Sequence, residues 1–357
     1  MPAYHILIHF WPLKNVKAIQ LTSGEDSMKT VLNGSPIWPI MTWFRCLVLC
    51  LLISLTTTTS INAFELLVGT GMPGTFSQFT ARALCRIMER QNDNLSCKPI
   101  SSEDEIDILT NVQGGSLDLA LVDSQLLSES LSDKGAFRFL DISYEQLRII
   151  TPLYNIPVVF IVRPDAGIES YKQLPGKRIN IGAPGSQVKY LLKIFMEAQG
   201  WSEDDFSLIT ELSSTMYQDK IAFNQGTIQA MAHRSVHPDP AVGQLLNQGK
   251  AKLIGLNGDG VRKMIDLYPG VSLQTLTESG YKSITGPLET FGTTMVLVTS
   301  ADMDNETARL VTETLDKNKA FLKSAHPSMA AFTINSKPEL YGGLKAHEAV
   351  LEWVADK

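Results

Sequence analysis

The chain has 357 residues, 44% of them hydrophobic and 19% charged, with 31 Lys and Arg against 37 Asp and Glu. That length exceeds what one core usually organises, so two domains are expected, and the ordinary composition excludes a disordered, collagen-like or repeat chain. A net charge of −6 argues against nucleic acid or an anionic membrane surface as partner.

Residues 1–40 carry neither a signal pattern nor a domain pattern and read as a leader from an upstream start codon, with Met28 or Met41 as the initiator. Residues 41–63 have the anatomy of a secretory signal peptide: Arg45, an apolar run over 46–55, a Thr/Ser stretch, and Ala63 before the cut. The run is about ten residues, short of the roughly twenty a spanning helix needs. Cleavage after Ala63 removes Lys14, Lys17, Lys29, Arg45, Glu25 and Asp26, which takes the net charge to −8. It leaves Cys85 and Cys97, and an exported cysteine pair is more often bridged than free. Such a bridge would tie a helix to the turn behind it; two buried thiols are the alternative.

In the rest of the chain, 64–68 reads as a buried strand, 77–90 as a helix, 97–100 as a strand, 104–113 as a helix and 117–122 as a strand. That order implies parallel strands with crossover helices. An apolar strand at 157–162 follows. The pattern then restarts with a strand at 178–182, a helix at 188–200 and a further strand-and-helix unit reaching 229–232. A strand at 293–299 is similar in composition to 158–163 and leads into a helix over 305–324. The matched strands suggest an α/β protein of two lobes joined by a hinge: 64–160 with 290–357 as lobe 1, and 161–289 as lobe 2.

Gly69-x-Gly71-x-x-Gly74 follows a strand and precedes a helix, as a dinucleotide fingerprint does. Pro73 stiffens the loop and no acid stands at the expected distance, so no cofactor is assigned. The turn still offers free backbone N–H groups and a helix dipole, which suit a carboxylate. Ala183-Pro184-Gly185-Ser186 repeats the device, and two such turns facing each other would hold a small anion; plain connecting turns remain the other reading. His233 and His237 have the i, i+4 spacing of a metal pair, but Pro238 and Pro240 break the helix and no Glu follows the first His, so a cleft-rim loop is favoured and no metal is assigned. Glu103-Asp104-Glu105 reads as a helix start complementing the dipole. No nucleophile stands beside a base, and the chain is not expected to be an enzyme.

An ordered series of motifs resembles the TAXI family of solute-binding proteins, the extracytoplasmic receptors of tripartite ATP-independent periplasmic (TRAP) transporters. It runs through Val68-Gly69-Thr70-Gly71, Ala83-Leu84-Cys85-Arg86 with Cys97, Gly115-Ser116-Leu117-Asp118-Leu119-Ala120, Arg163-Pro164-Asp165-Ala166-Gly167, Leu174-Pro175-Gly176-Lys177, His237-Pro238, Glu289-Thr290-Phe291-Gly292 and Ala325-His326-Pro327. The resemblance implies a type II periplasmic-binding fold that closes around a small organic acid or amino acid, docks on a TRAP membrane permease and works in the periplasm. It also implies that the family's cysteine pair is present as Cys85 and Cys97. The ligand-binding residues it points to are Thr70, Gly71, Thr75, Ser77, Gln78, Ser124, Tyr154, Gly185, Ser186, Gln187, His237 and Phe291. The loops depart from the family at Thr75-Phe76-Ser77-Gln78, Ser102-Glu103-Asp104, Asp123-Ser124-Gln125 and Gly185-Ser186-Gln187, and the added acidity disfavours a dicarboxylate. A periplasmic ligand-sensing or interaction protein using the same fold without a transporter is the alternative reading.

Overall fold

A computed structural model describes residues 64–277, 280–282, 284–334 and 341–357; the leader at 1–40 and the signal at 41–63 lie outside the described residues. The first strand, β1 (Phe64–Thr70), feeds α1 (Phe76–Gln91), whose N-cap Thr75 accepts a hydrogen bond from Gln78 N. The inward face of α1 carries Ala81, Leu84, Cys85, Ile87 and Met88. A disulfide joins Cys85 to Cys97 of β2 (Leu95–Ser101), so helix and strand are covalently tied, as the bridged reading expected. α2 (Glu105–Gln113) follows, capped by Asp104, and then β3 (Leu119–Asp123). α3 (Ser124–Leu131) starts with no loop, because Asp123 ends the strand and also caps the helix, accepting from Gln125 N at 2.9 Å.

β4 (Leu147–Val162) is 16 residues long, although sequence periodicity marked only its last third as strand. Pro152 and Pro157 mask the rest. Over that stretch β4 has one long partner strand on one side and an isolated bridge, Ile149 to Ala346, on the other, which makes it an edge where a missing N–H is tolerated. There follow β5 (Arg178–Asn180), α4 (Gln187–Gln199), β6 (Leu208–Thr210), α5 (Gln218–Gln225), β7 (Ala230–Arg234), α6 (Pro240–Asn247), β8 (Lys252–Gly255), α7 (Asp259–Leu267) and β9 (Ser272–Leu276). The chain closes with β10 (Leu288–Ser300), α8 (Asn305–Lys317), α9 (Lys319–Ala325) and α10 (Glu348–Ala355). The helix expected across 305–324 is interrupted at Asn318, whose side-chain amide donates to Thr314 O at 2.8 Å and competes with the helical ladder.

The described residues form a ten-stranded sheet in the order β2-β1-β3-β10-β4-β7-β5-β6, with β8 on β4 and β9 on β10. β1, β2 and β3 are parallel, as the alternation of strands and helices implied. On β4, Tyr154 and Ile156 belong to one core cluster and Val158, Phe160 and Val162 to a second. Their spacing by two puts both clusters on one face of the sheet. Two more clusters line the other face, one around Ile108, Leu109 and Val296, one around Phe223, Met231 and Tyr281. The sheet therefore has helices on both faces, a mixed α/β fold. Among the described residues no helix is long and apolar enough to cross a membrane.

Candidate functional site

The geometry of the site follows from strand direction. β10 is antiparallel to both β3 and β4, and β4 is antiparallel to β7, so β3 and β7 run toward each other. β3 ends at Asp123, opposite Met295, and β7 ends at Arg234, opposite Val158, which in turn faces Phe291 of β10. The carboxyl ends of two strand sets thus converge on a stretch about 13 Å long, four residues of β4 and β10. Asp123 shares a face with Leu119 and Leu121, and Arg234 shares one with Ala230 and Ala232; both faces belong to the same side of the sheet.

There the two side chains meet. Arg234 Nη2 donates to Asp123 Oδ2 and, at 2.7 Å, to Thr293 Oγ1, which itself donates to Asp123 Oδ2 at 2.6 Å. Asp123 is 2% exposed. Arg234 Nε is buried without a hydrogen-bond partner. Glu105, in the first turn of α2, lies in the field of both: burial pushes its carboxyl pKa up, Asp123 pushes it further, and Arg234 offsets part of this. Tyr154 feels the same charges, and its hydroxyl is held well above the usual phenol range chiefly by burial. Its ring lies edge-on to Phe76 at 4.7 Å.

Around this cluster the first glycine turn forms a hydroxyl chain. Thr70 Oγ1 donates to Ser77 Oγ at 3.2 Å, and Thr75 Oγ1 spends its only proton on Met72 O at 2.7 Å. The 2.9 Å contact between Ser77 and Thr75 therefore has Ser77 as donor. Gly71 stands beside it, where a Cβ would come 3.1 Å from Ser77 Oγ. Gln78 spans the turn, accepting from Gly74 N and donating to Ser101 Oγ at 3.0 Å. Thr70, Gly71, Thr75, Ser77 and Gln78 are thus brought together. At the second turn Gly185 adopts φ 76°, Ser186 caps α4 and donates to Ala183 O at 2.7 Å, and Gln187 Oε1 is buried and unpartnered.

The remaining expected residues take other positions. Ser124 is buried, donates to Gly270 O at 2.5 Å and accepts from Thr294 N at 2.9 Å. Phe291 is fully buried and stacks on Phe195 in the second core. His237 lies with the cluster on the opposite face, its Nδ1 2.6 Å from Tyr281 Oη. That oxygen also accepts from Asp239 N at 2.6 Å and stands 3.5 Å from Asp239 O. Burial, then the neighbouring His233, hold the His237 pKa down at about 4 despite Asp239. His233 Nε2 contacts Asp239 at 3.0 Å, where its hydrogen bond and those of Ala241 and Val242 outweigh burial and keep the Asp239 carboxyl well below the usual range. Among the described residues no group of three or more His, Cys, Asp or Glu could hold a metal. A cavity of about 260 Å³ on this opposite face is walled by Asn155, Pro157, His237, Gln274 and Tyr281.

The sequence carries no sign of a role for Arg234, between His233 and His237, while the acidic run Glu103-Asp104-Glu105 reads first as a helix start and, as its functional alternative, as a contact for a cationic or polar ligand. Their roles depend on strand register, which the sequence does not display. One signal was available: Asp123 replaces a loop residue at the carboxyl end of an otherwise apolar strand.

The overall structure is similar to several solved binding proteins. The periplasmic aliphatic sulphonate-binding protein SsuA from Escherichia coli shares 17% identity at a TM-score of 0.40, over 75% of this chain and 72% of that one. A structure described for glutathione import via GshT and the cystine ABC importer TcyBC of Streptococcus mutans shares 12% at 0.45 over 80% and 99%. A Bacillus subtilis extracellular-binding protein assigned to amino-acid ABC transport shares 12% at 0.45 over 73% and 94%. At the level of sequence pattern a family model matches residues 68–343, most of the chain: this protein belongs to the NMT1-like family.

Proposed function

We propose that the protein is an extracytoplasmic solute-binding receptor of the TAXI type. It would capture a small organic acid or amino acid between lobe 1 (64–160 with 290–357) and lobe 2 (161–289), hinged on β4 and β10, and deliver it to a TRAP membrane permease in the periplasm. The observation that carries this reading is the convergence of the carboxyl ends of β3 and β7 on the buried Asp123–Thr293–Arg234 cluster. Ligands of open α/β sheets bind outside the carboxyl ends of strands, in concave sites with a few convergent polar groups. The Cys85–Cys97 bridge supports an oxidising compartment.

A thermal-shift panel of organic and amino acids over the exported chain tests it. A true ligand at about a hundred times its Kd adds about 2.7 kcal/mol of stability, an upward shift that is easily resolved. A panel without a stabilising compound would count against capture and favour the interaction-protein reading, in which Arg234 itself fills the convergence point.

A further inference from the structure

Two groups at the convergence point are left with unmet demands. Asp123 accepts from three donors: Gln125 N on Oδ1, and Thr293 Oγ1 and Arg234 Nη2 on Oδ2. Arg234 Nε, by contrast, is buried with an N–H and no acceptor. Glu105, within electrostatic reach of both, accepts no hydrogen bond among the described residues. A buried donor without an acceptor costs its desolvation, and a carboxylate beside another carboxylate calls for a cation. The site therefore asks for one acceptor anion and one donor cation.

Charge decides among small ligands. With Glu105 ionised the three groups sum to one negative charge. A dicarboxylate would bring three negative charges together in a buried space, and a simple monocarboxylate two, each adding repulsion that is poorly screened there. A monocation would neutralise the charge but leave Nε unpaired. A molecule with one ammonium and one carboxylate meets both demands and adds no net charge.

On the receptor reading, on which this rests, we infer that the ligand is a small net-neutral zwitterion, its carboxylate on Arg234 Nε and its ammonium on Glu105. Arg234, at the end of β7, and Glu105, in the first turn of α2, are then the specificity-determining residues.

Isothermal titration of the exported protein with five probes tests this: L-alanine and 4-aminobutyrate as zwitterions, L-lactate as the anion, L-alaninol as the cation and glutarate as the dicarboxylate. A zwitterion should bind most tightly. Glu105→Gln, close in shape and outside the core, should weaken it about 30-fold or more while L-lactate holds or gains. Arg234→Lys should weaken both zwitterion and lactate and leave L-alaninol unchanged. Glutarate or L-lactate binding the parent as tightly as the zwitterions overturns the inference, as does a Glu105→Gln variant that weakens every probe equally; both results leave a receptor standing. Silence from all five overturns the inference too, and silence across the wider acid panel overturns the receptor reading with it.

Discussion

The carboxylate of Asp123 shows how much one residue carries. It ends β3, caps α3 through Gln125 N, and pairs with a guanidinium 111 positions away. Removing one partner of a buried pair leaves the other charge uncompensated, so Arg234→Met should cost about 3–5 kcal/mol. Adding Asp123→Asn, which keeps the capping oxygen, should recover most of that loss. Urea unfolding checks it: a double variant as unstable as the sum of its singles would contradict the pairing. His237 gives a second residue-scale test. An unfolded histidine titrates near 6.5, and the folded side chain is held down at about 4 by burial and His233, against Asp239, with Tyr281 bonded to it. Between those values the unfolded chain binds one more proton than the folded chain, so stability falls as pH drops from about 6.5 to about 4. The loss is on the order of 3 kcal/mol. His237→Gln should flatten that limb, leaving the shallower slope from His326 and His347, which burial also lowers. An unchanged limb would place the proton elsewhere.

Among elements, α1 and β2 are held together by both packing and chemistry. The Cys85–Cys97 bridge closes a sequence separation of 12, for which the chain-entropy account gives about 3 kcal/mol. Replacing both cysteines with alanine should lower the unfolding free energy by that amount and, because the unfolded chain expands, steepen its dependence on denaturant; a midpoint that ignores reductant would mean the bridge adds nothing. This part of the fold was legible in the sequence. Leu66 and Val68, the α1 face and Leu119 to Val122 are local patterns whose period betrays the element. The long β4 was not, because Pro152 and Pro157 sit inside it and only the neighbouring strand explains why they are tolerated. The glycine turns were legible for the same local reason, since Gly185 must hold φ 76°. The charged cluster was illegible, because nothing near residue 234 announces that it will face Val158, or that Asp123 will face Met295. Phe291 shows the converse: a position picked from a motif turned out to stack on Phe195 inside the core.

For the whole molecule the question is what holds the proposed lobes in contact, and two joints between residues 64–160 and 161–289 answer it. Tyr190 and Glu129 lie within electrostatic reach of each other, and burial raises the pKa of both. Ser124 donates to Gly270 O, and Gly270 lies so close to α3 that a Cβ there would stand 2.5 Å from both Ser124 O and Gln125 Cα. Those are backbone atoms at a helix start and cannot swing aside as a side-chain tip could. Gly270→Ala should therefore push the 268–271 turn off α3 and bias the molecule toward an open form, with little loss in either core, since the residue sits at the joint. A ligand that needs the closed form sees its apparent Kd rise by the inverse of the closed fraction. A fall of that fraction to about a tenth gives about a tenfold weaker Kd. Small-angle scattering of the ligand-free variant should show a larger radius of gyration, returning to the parental value at saturating ligand. If the radius and the Kd both stay at parental values, the contact at Gly270 does not govern the proposed closure.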